Sequence, residues 1–196
     1  MVGMSFKSFG ESDKTPEPII EGVKLLFFGS IILYKGLDLL ILALEELKAT
    51  GVNNISLTIA GKGAFWEDCK PLIKTPEMFN LQVRFIENEE IPDLMSTHHF
   101  LVLPYRDVTQ SGPLVAALGY GLPVIAPKMG SFMDVFNDET AILYPEGGLK
   151  DALTKVSQMD TYHYELLKEA VAGMRENYTE ERIAQNYIKA FKKNLN

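Results

Sequence analysis

Three small residues, Ser111, Gly112 and Pro113, stand between an apolar run, Phe100 to Pro104, and a second one, Leu114 to Leu118. A polar residue, a glycine and a proline in that order mark a helix start, because proline has no N–H to lose at the first helical position and glycine lets a ligand approach the backbone. The first N–H groups of a helix have no partner within it, and the helix dipole adds roughly half a positive charge there. Anions bind at such places. Leu114 to Leu118 cannot form a solvated face, so the helix is expected to be buried and its N-terminus fixed. Gln110, Ser111 and Gly112 are therefore the expected anion site, against the competing reading of a serine-capped core helix without a ligand.

Two further stretches carry matching chemistry. Lys35 precedes Gly36 and an apolar helix, where its ammonium can reach phosphate oxygens; a charged hydrogen bond of that kind is worth about 1.5 to 3 kcal/mol. Alone it would read as a solvated loop lysine. Gly61-Lys62-Gly63 follows the strand-like ISLTIA, but Trp66 stands where a dinucleotide fingerprint wants its third glycine. The next strand ends in Arg84, Phe85 and Ile86 rather than an acid, which argues against a nicotinamide site. An ordinary turn needing positive φ is the alternative there. His98 and His99 lack acidic or cysteine neighbours at metal spacing and are expected to be exposed or capping. Cys69, Phe65 and Trp66 read as packing residues, and Glu87 to Glu90 as a helix start. No Asp-x-Asp pair occurs anywhere in the sequence.

The elements that must position these groups alternate. Lys24 to Phe28, Ile55 to Ala60, Leu81 to Ile86, Phe100 to Pro104, Pro123 to Ala126 and Ala141 to Tyr144 read as strands, about six in all. Between them lie a helix from Leu37 to Ala49, one carrying Phe65, Trp66, Cys69, Leu72 and Ile73, short ones at Ile91 to Ser96 and Phe132 to Phe136, and the opening helix up to Gly121. The first, apolar around most of its circumference, is expected to be sandwiched. Strands and helices alternating at this spacing give an α/β fold, a parallel sheet covered on both faces through right-handed crossovers. Ligands then bind beyond the carboxyl ends of the strands, where the Gly29 to Gly36, Gly61 to Gly63 and Gln110 to Gly112 turns all fall. From Leu149 onward the pattern is helical: Lys150 to Gln158, Tyr162 to Asn177, and a last helix after Thr179 whose Ile183, Tyr187, Ile188 and Phe191 form one apolar face.

The 196 residues are 46% hydrophobic with a formal charge of −7, enough for one sizeable core and without the basic stripe of a nucleic-acid binder. A single cysteine, Cys69, excludes an internal disulfide and fits a reducing, cytoplasmic setting. The N-terminal stretch lacks the apolar segment of a signal peptide, and no run reaches transmembrane length.

Phe28-Gly29-Ser30 with Lys35-Gly36, then LTIAGKG, VRFI, LPYRDVTQSGPLVAALGYGLPVIA and AILYP, in this order and spacing, resemble the C-terminal domain of group 1 (family 4) glycosyltransferases. The resemblance implies a Rossmann-like, doubly wound sheet forming one half of a GT-B fold, and a donor domain for a nucleotide-diphosphate sugar. On that basis the diphosphate is expected at Gln110, Ser111 and Gly112 with Lys35 on a phosphate. Gly29, Ser30, Gly61, Lys62 and Gly63 would line the donor, and Ile86 and Glu87 would lie near the base. The implied reaction is metal-independent glycosyl transfer, retaining in most members, in polysaccharide or glycan synthesis, with the sugar nucleotide as substrate and no cofactor.

Two departures stand out. Many members have arginine where Ser30 stands, and many carry paired glutamates at the positions of Val108 and Ala116, although a TQSG-bearing subgroup lacks the pair as well. The implied organisation is a linker over residues 1–21, a nucleotide-sugar domain over 22–178, and a helix over 179–196 that packs on an N-terminal acceptor domain. Without that partner domain little activity is expected, and any attachment at the inner membrane surface is expected through it. A non-catalytic scaffold and a sugar-nucleotide epimerase or hydrolase of the same shape are the alternatives.

Overall fold

In a computed structural model of the protein, which describes residues 14, 16, 18–107 and 111–175, the strands form one parallel sheet. The strands are β1 (Val23–Phe28), β2 (Ile55–Ala60), β3 (Phe79–Gln82), β4 (Phe100–Val102), β5 (Val124–Pro127) and β6 (Ile142–Tyr144). Their order is β3-β2-β1-β4-β5-β6, so the direction of winding reverses between β1 and β4. Brought together there, the ends of β1 and β4 open the crevice in which such sheets bind ligands.

Continuous apolar runs suit these strands because each residue meets one covered face or the other. Val23, Leu25 and Phe27 of β1, with Phe100 and Val102 of β4, point into one core, shared with α1 (Leu37–Ala49) and α6 (Leu149–Ser157). Leu26 of β1, Leu101 of β4 and Val124 and Ala126 of β5 point into the other. That second core holds α3 (Ile91–Ser96) and α4 (Gly112–Tyr120), and Phe132 of α5 (Gly130–Val135). Val171 of α7 (Thr161–Arg175) reaches it too. Toward β3 the second face turns polar: Lys24, Ser56, Thr58, Asn80 and Gln82 share an open cavity of about 530 Å³ with residues of α3.

Four expectations need correction. The third strand occupies Phe79–Gln82 rather than Leu81 to Ile86. Phe79 pairs with Leu57 and faces the core, while Leu81, two residues on along this edge strand, is 47% exposed, and the pairing with β2 ends at Gln82, so the second half of LQVRFI lies beyond the strand. The second helix shrinks to α2 (Trp66–Cys69) followed by a 3-10 turn over Lys70–Leu72, because Pro71 cannot continue an α-helix. On α1, Leu39 and Leu42 remain exposed, so the helix is covered by the sheet and α6 but not all round. His98 and His99 are buried: His98 bonds to the Leu94 carbonyl and the Thr58 hydroxyl, and His99 Nδ1 accepts from the Lys24 amide. Both tie the start of β4 to neighbouring elements. Cys69 is a core residue whose thiol burial pushes up to about 11, and Phe65 and Trp66 pack against the same core, as expected.

Candidate functional site: a buried lysine at a helix N-terminus

After Phe28 the chain turns at Gly29, runs through a 3-10 turn at Leu33–Lys35, and enters α1 through Gly36. This path brings Lys35 back over the end of β1. A Cβ built on Gly29 would lie 3.1 Å from Lys35 Nζ and 3.2 Å from Pro113 Cγ, so the turn, the lysine and the start of α4 meet at one point. Two segments far apart in sequence, the loop from Gly29 to Lys35 and the start of α4, converge on the crevice between β1 and β4.

Lys35 is 6% exposed. Its ammonium lies 5.7 Å from the centre of the Tyr105 ring, and among the described residues it makes no hydrogen bond or ion pair. Burial pushes its pKa down. A cation in such a place normally has a carboxylate beside it, because removing charge from water is costly. Here no such carboxylate stands beside it among the described residues.

Ser111 is the N-cap of α4: its Oγ accepts from Leu114 N at 3.2 Å and lies 3.2 Å from the Tyr105 hydroxyl. Burial first of all raises the Tyr105 phenol to about 12, so the hydroxyl keeps its proton. Gly112 is exposed at the first position of the helix, and the flanking Pro113, Leu114, Ala116, Ala117 and Leu118 are buried, which fixes the N-terminus in the way the apolar run predicts. Ala116 faces the second core, away from solvent. Gln110 and Val108 lie outside the described residues.

The remaining predicted residues fall along the same edge in the direction of β2 and β3. Gly61 packs on the Gly29 turn, where its Cβ position is 1.8 Å from the Gly29 carbonyl oxygen. Ser30 is exposed, and Ile31 N donates to the Lys62 carbonyl, with Gly63 against the Ile31 carbonyl. The Lys62 ammonium sits 5.3 Å from the centre of the Phe85 ring, itself 56% exposed. The Ile86 side chain belongs to the second core, and Glu87 closes a capping box with Glu90. The bidentate bond from Arg84 holds the Glu90 carboxyl at about 2.

Sequence reading passed over Tyr105 and Arg106. Tyr105 touches both Lys35 and Ser111, and Arg106 binds Asp38 and the turn before Lys35. The available signal was the position of both in the loop leading to Ser111, and an acid, Asp38, in the first turn of α1.

The model of the family "Glycosyl transferases group 1" matches residues 22–159. The chain belongs to this family. No curated protein sequence matches it significantly. Among solved structures, this group 1 domain resembles the C-terminal domain of a glycosyl transferase group 1 family protein, LpcC, from Francisella tularensis, with a TM-score of 0.71 and 16% identity over 91% of this chain and all of that one. It also resembles a TarM mutant from S. aureus solved with fondaparinux, α-GlcNAc-glycerol and UDP, with a TM-score of 0.72 and 16% identity over 93% of this chain and 37% of that one. Sucrose-phosphate synthase from Thermosynechococcus elongatus gives 0.70 and 18%, over 98% of this chain and 51% of that one. The fold is thus the C-terminal half of GT-B, and the group 1 domain spans about a third to a half of the two longer neighbours. Among the described residues no helix is long and apolar enough to cross a membrane.

Proposed function

We propose that this group 1 domain binds the diphosphate of a nucleotide sugar between Lys35 and the N-terminus of α4, as the donor half of a glycosyltransferase. The observation that carries the reading is the buried Lys35 ammonium, without an acidic partner among the described residues, set beside a fixed helix N-terminus. When the sugar leaves, negative charge builds on the departing phosphate. A fixed cation and aligned N–H groups stabilise that charge without having to reorganise. This supports a transfer that needs no divalent cation; that the sugar's configuration is retained, and that a second domain supplies the acceptor and further catalytic groups, is what the family resemblance implies. The nucleoside lies along the β2 and β3 edge, over Gly61, Lys62 and Phe85 and toward Glu87.

Exposed Ser30 and core-facing Ala116, where arginine and glutamate are common, favour one alternative: a scaffold that keeps the fold without binding donor. Calorimetry separates the two. With EDTA present, UDP or GDP is expected to bind with a dissociation constant in the micromolar to millimolar range. A folded chain giving no heat with either nucleotide well above a millimolar would leave the scaffold.

A further inference from the structure

We propose that Arg106 is a positioning residue for Lys35: it fixes where the ammonium stands relative to the N-terminus of α4, without itself binding the anion. The proposal rests on the reading of Lys35 as the phosphate-binding group. Arg106 holds the segment on both sides of Lys35 in three ways. Its backbone N–H donates to the Tyr34 carbonyl at 2.7 Å, and Nη1 donates to the Leu33 carbonyl at 2.8 Å. Its two terminal nitrogens also grip Asp38, in the first turn of α1, at 2.8 and 2.6 Å.

The positions held lie two residues before, one before and three after Lys35. Gly36, between them, packs against the Pro104 carbonyl, two residues before Arg106 in the other chain segment. Tyr105 completes the frame: its ring faces Lys35, its hydroxyl reaches Ser111, and it meets Tyr34 edge-on. The loop that leads into α4 is therefore the same loop that clamps the lysine turn, so cation and helix N-terminus share one support.

The fork geometry explains the residue type. Two parallel N–H bonds to a carboxylate plus one to a carbonyl need a planar guanidinium, which lysine cannot imitate. With both terminal nitrogens engaged on Asp38, Arg106 has its charge answered by an acid, whereas Lys35 has none beside it among the described residues. Burial raises the Asp38 carboxyl, but the hydrogen bond and charge of Arg106, together with backbone N–H groups at the start of α1, outweigh it and hold the carboxyl below its ordinary value.

A double-mutant cycle read by calorimetry tests this, using inorganic pyrophosphate and UDP as separate probes. Arg106→Gln in the otherwise unchanged chain is expected to weaken both by roughly 5- to 10-fold, within the coupling range of contacting networks. Introduced beside Lys35→Met, it should weaken neither any further. Asp38→Asn should reproduce the first effect, and Arg106→Lys, which keeps charge and backbone bond, should fail to restore affinity. Equal losses with and without Lys35 would mean that Arg106 contacts the anion directly and would overturn the proposal. A lowered melting temperature with unchanged affinity would reduce it to a structural role and overturn it likewise. If the unmutated chain binds neither probe, the donor-site reading falls and takes this one with it; if it binds both and Lys35→Met weakens them, only the cycle decides Arg106.

Discussion

Lys35→Met is expected to weaken nucleoside diphosphate binding by roughly 10- to 100-fold, the loss of a charged hydrogen bond worth about 1.5 to 3 kcal/mol. The same substitution should leave the melting temperature unchanged or raise it. The two effects have one cause. The ammonium is buried with no acid beside it among the described residues, so the empty fold carries the cost of its desolvation and the bound anion removes that cost. Methionine fills a similar volume without charge. The pH dependence follows in sign: burial lowers the Lys35 pKa, so the charged form needed for the anion is lost at a lower pH than for an exposed lysine, whose value is about 10.4. Affinity should therefore fall as pH rises through that lowered value. Fold stability runs the other way, since in that same window the unfolded chain binds the proton more tightly and stability rises with pH. Calorimetry across alkaline pH and thermal melts of both proteins check the pair of effects; a variant that loses stability while keeping affinity would show the lysine to be structural.

Gly61→Ala is expected to cost about 3 to 5 kcal/mol, combining a strained backbone with overpacking in a fixed frame. Gly61 has φ +147°, and its Cβ would lie 1.8 Å from the Gly29 carbonyl oxygen. Backbone cannot yield there cheaply, because Gly29 N donates to the Ala60 carbonyl and Gly61 N to the Gln82 carbonyl, locking both turns to the sheet. Gly51→Ala is the control: its φ is +94°, but nothing stands within 4 Å of its Cβ. It should cost about 1 kcal/mol, the backbone part alone. Urea unfolding of the two variants measures the difference. Equal costs would show that the contact between the Gly29 and Gly61 turns contributes nothing to the fold. A Gly61 variant that folds should also bind nucleotide poorly, because the displaced carbonyl is that of the turn against which Lys35 rests.

Much of this was legible because it depended on local pattern. Apolar runs such as KLLFF and ISLTIA have few options other than a doubly covered sheet, and the Ser-Gly-Pro start of α4 stands as the run behind it required. The family block fixed the order of elements and so the crevice. What sequence could not show was direction at the edges. LQVRFI alternates, but only pairing with β2 decides that the strand runs from Phe79 to Gln82 and leaves Phe85 beyond it, exposed. His98 and His99 looked exposed because their partners, Thr58 and the Lys24 amide, are distant in the chain. Lys35 could be placed near the sheet edge from its position after β1, but its burial depends on Tyr105 and Pro113, and the Arg106 to Asp38 bond spans 68 positions. Contacts of that kind leave no periodic trace.

The most direct test of the donor site is a crystal of this chain soaked with UDP and no divalent cation. Diphosphate density within hydrogen-bond reach of Lys35 Nζ and the Gly112 N–H, with the nucleoside running toward Lys62 and Phe85, is the predicted result. Diphosphate density in the polar cavity between Lys24 and Asp93 instead, with the crevice at Lys35 filled only by water, would contradict it.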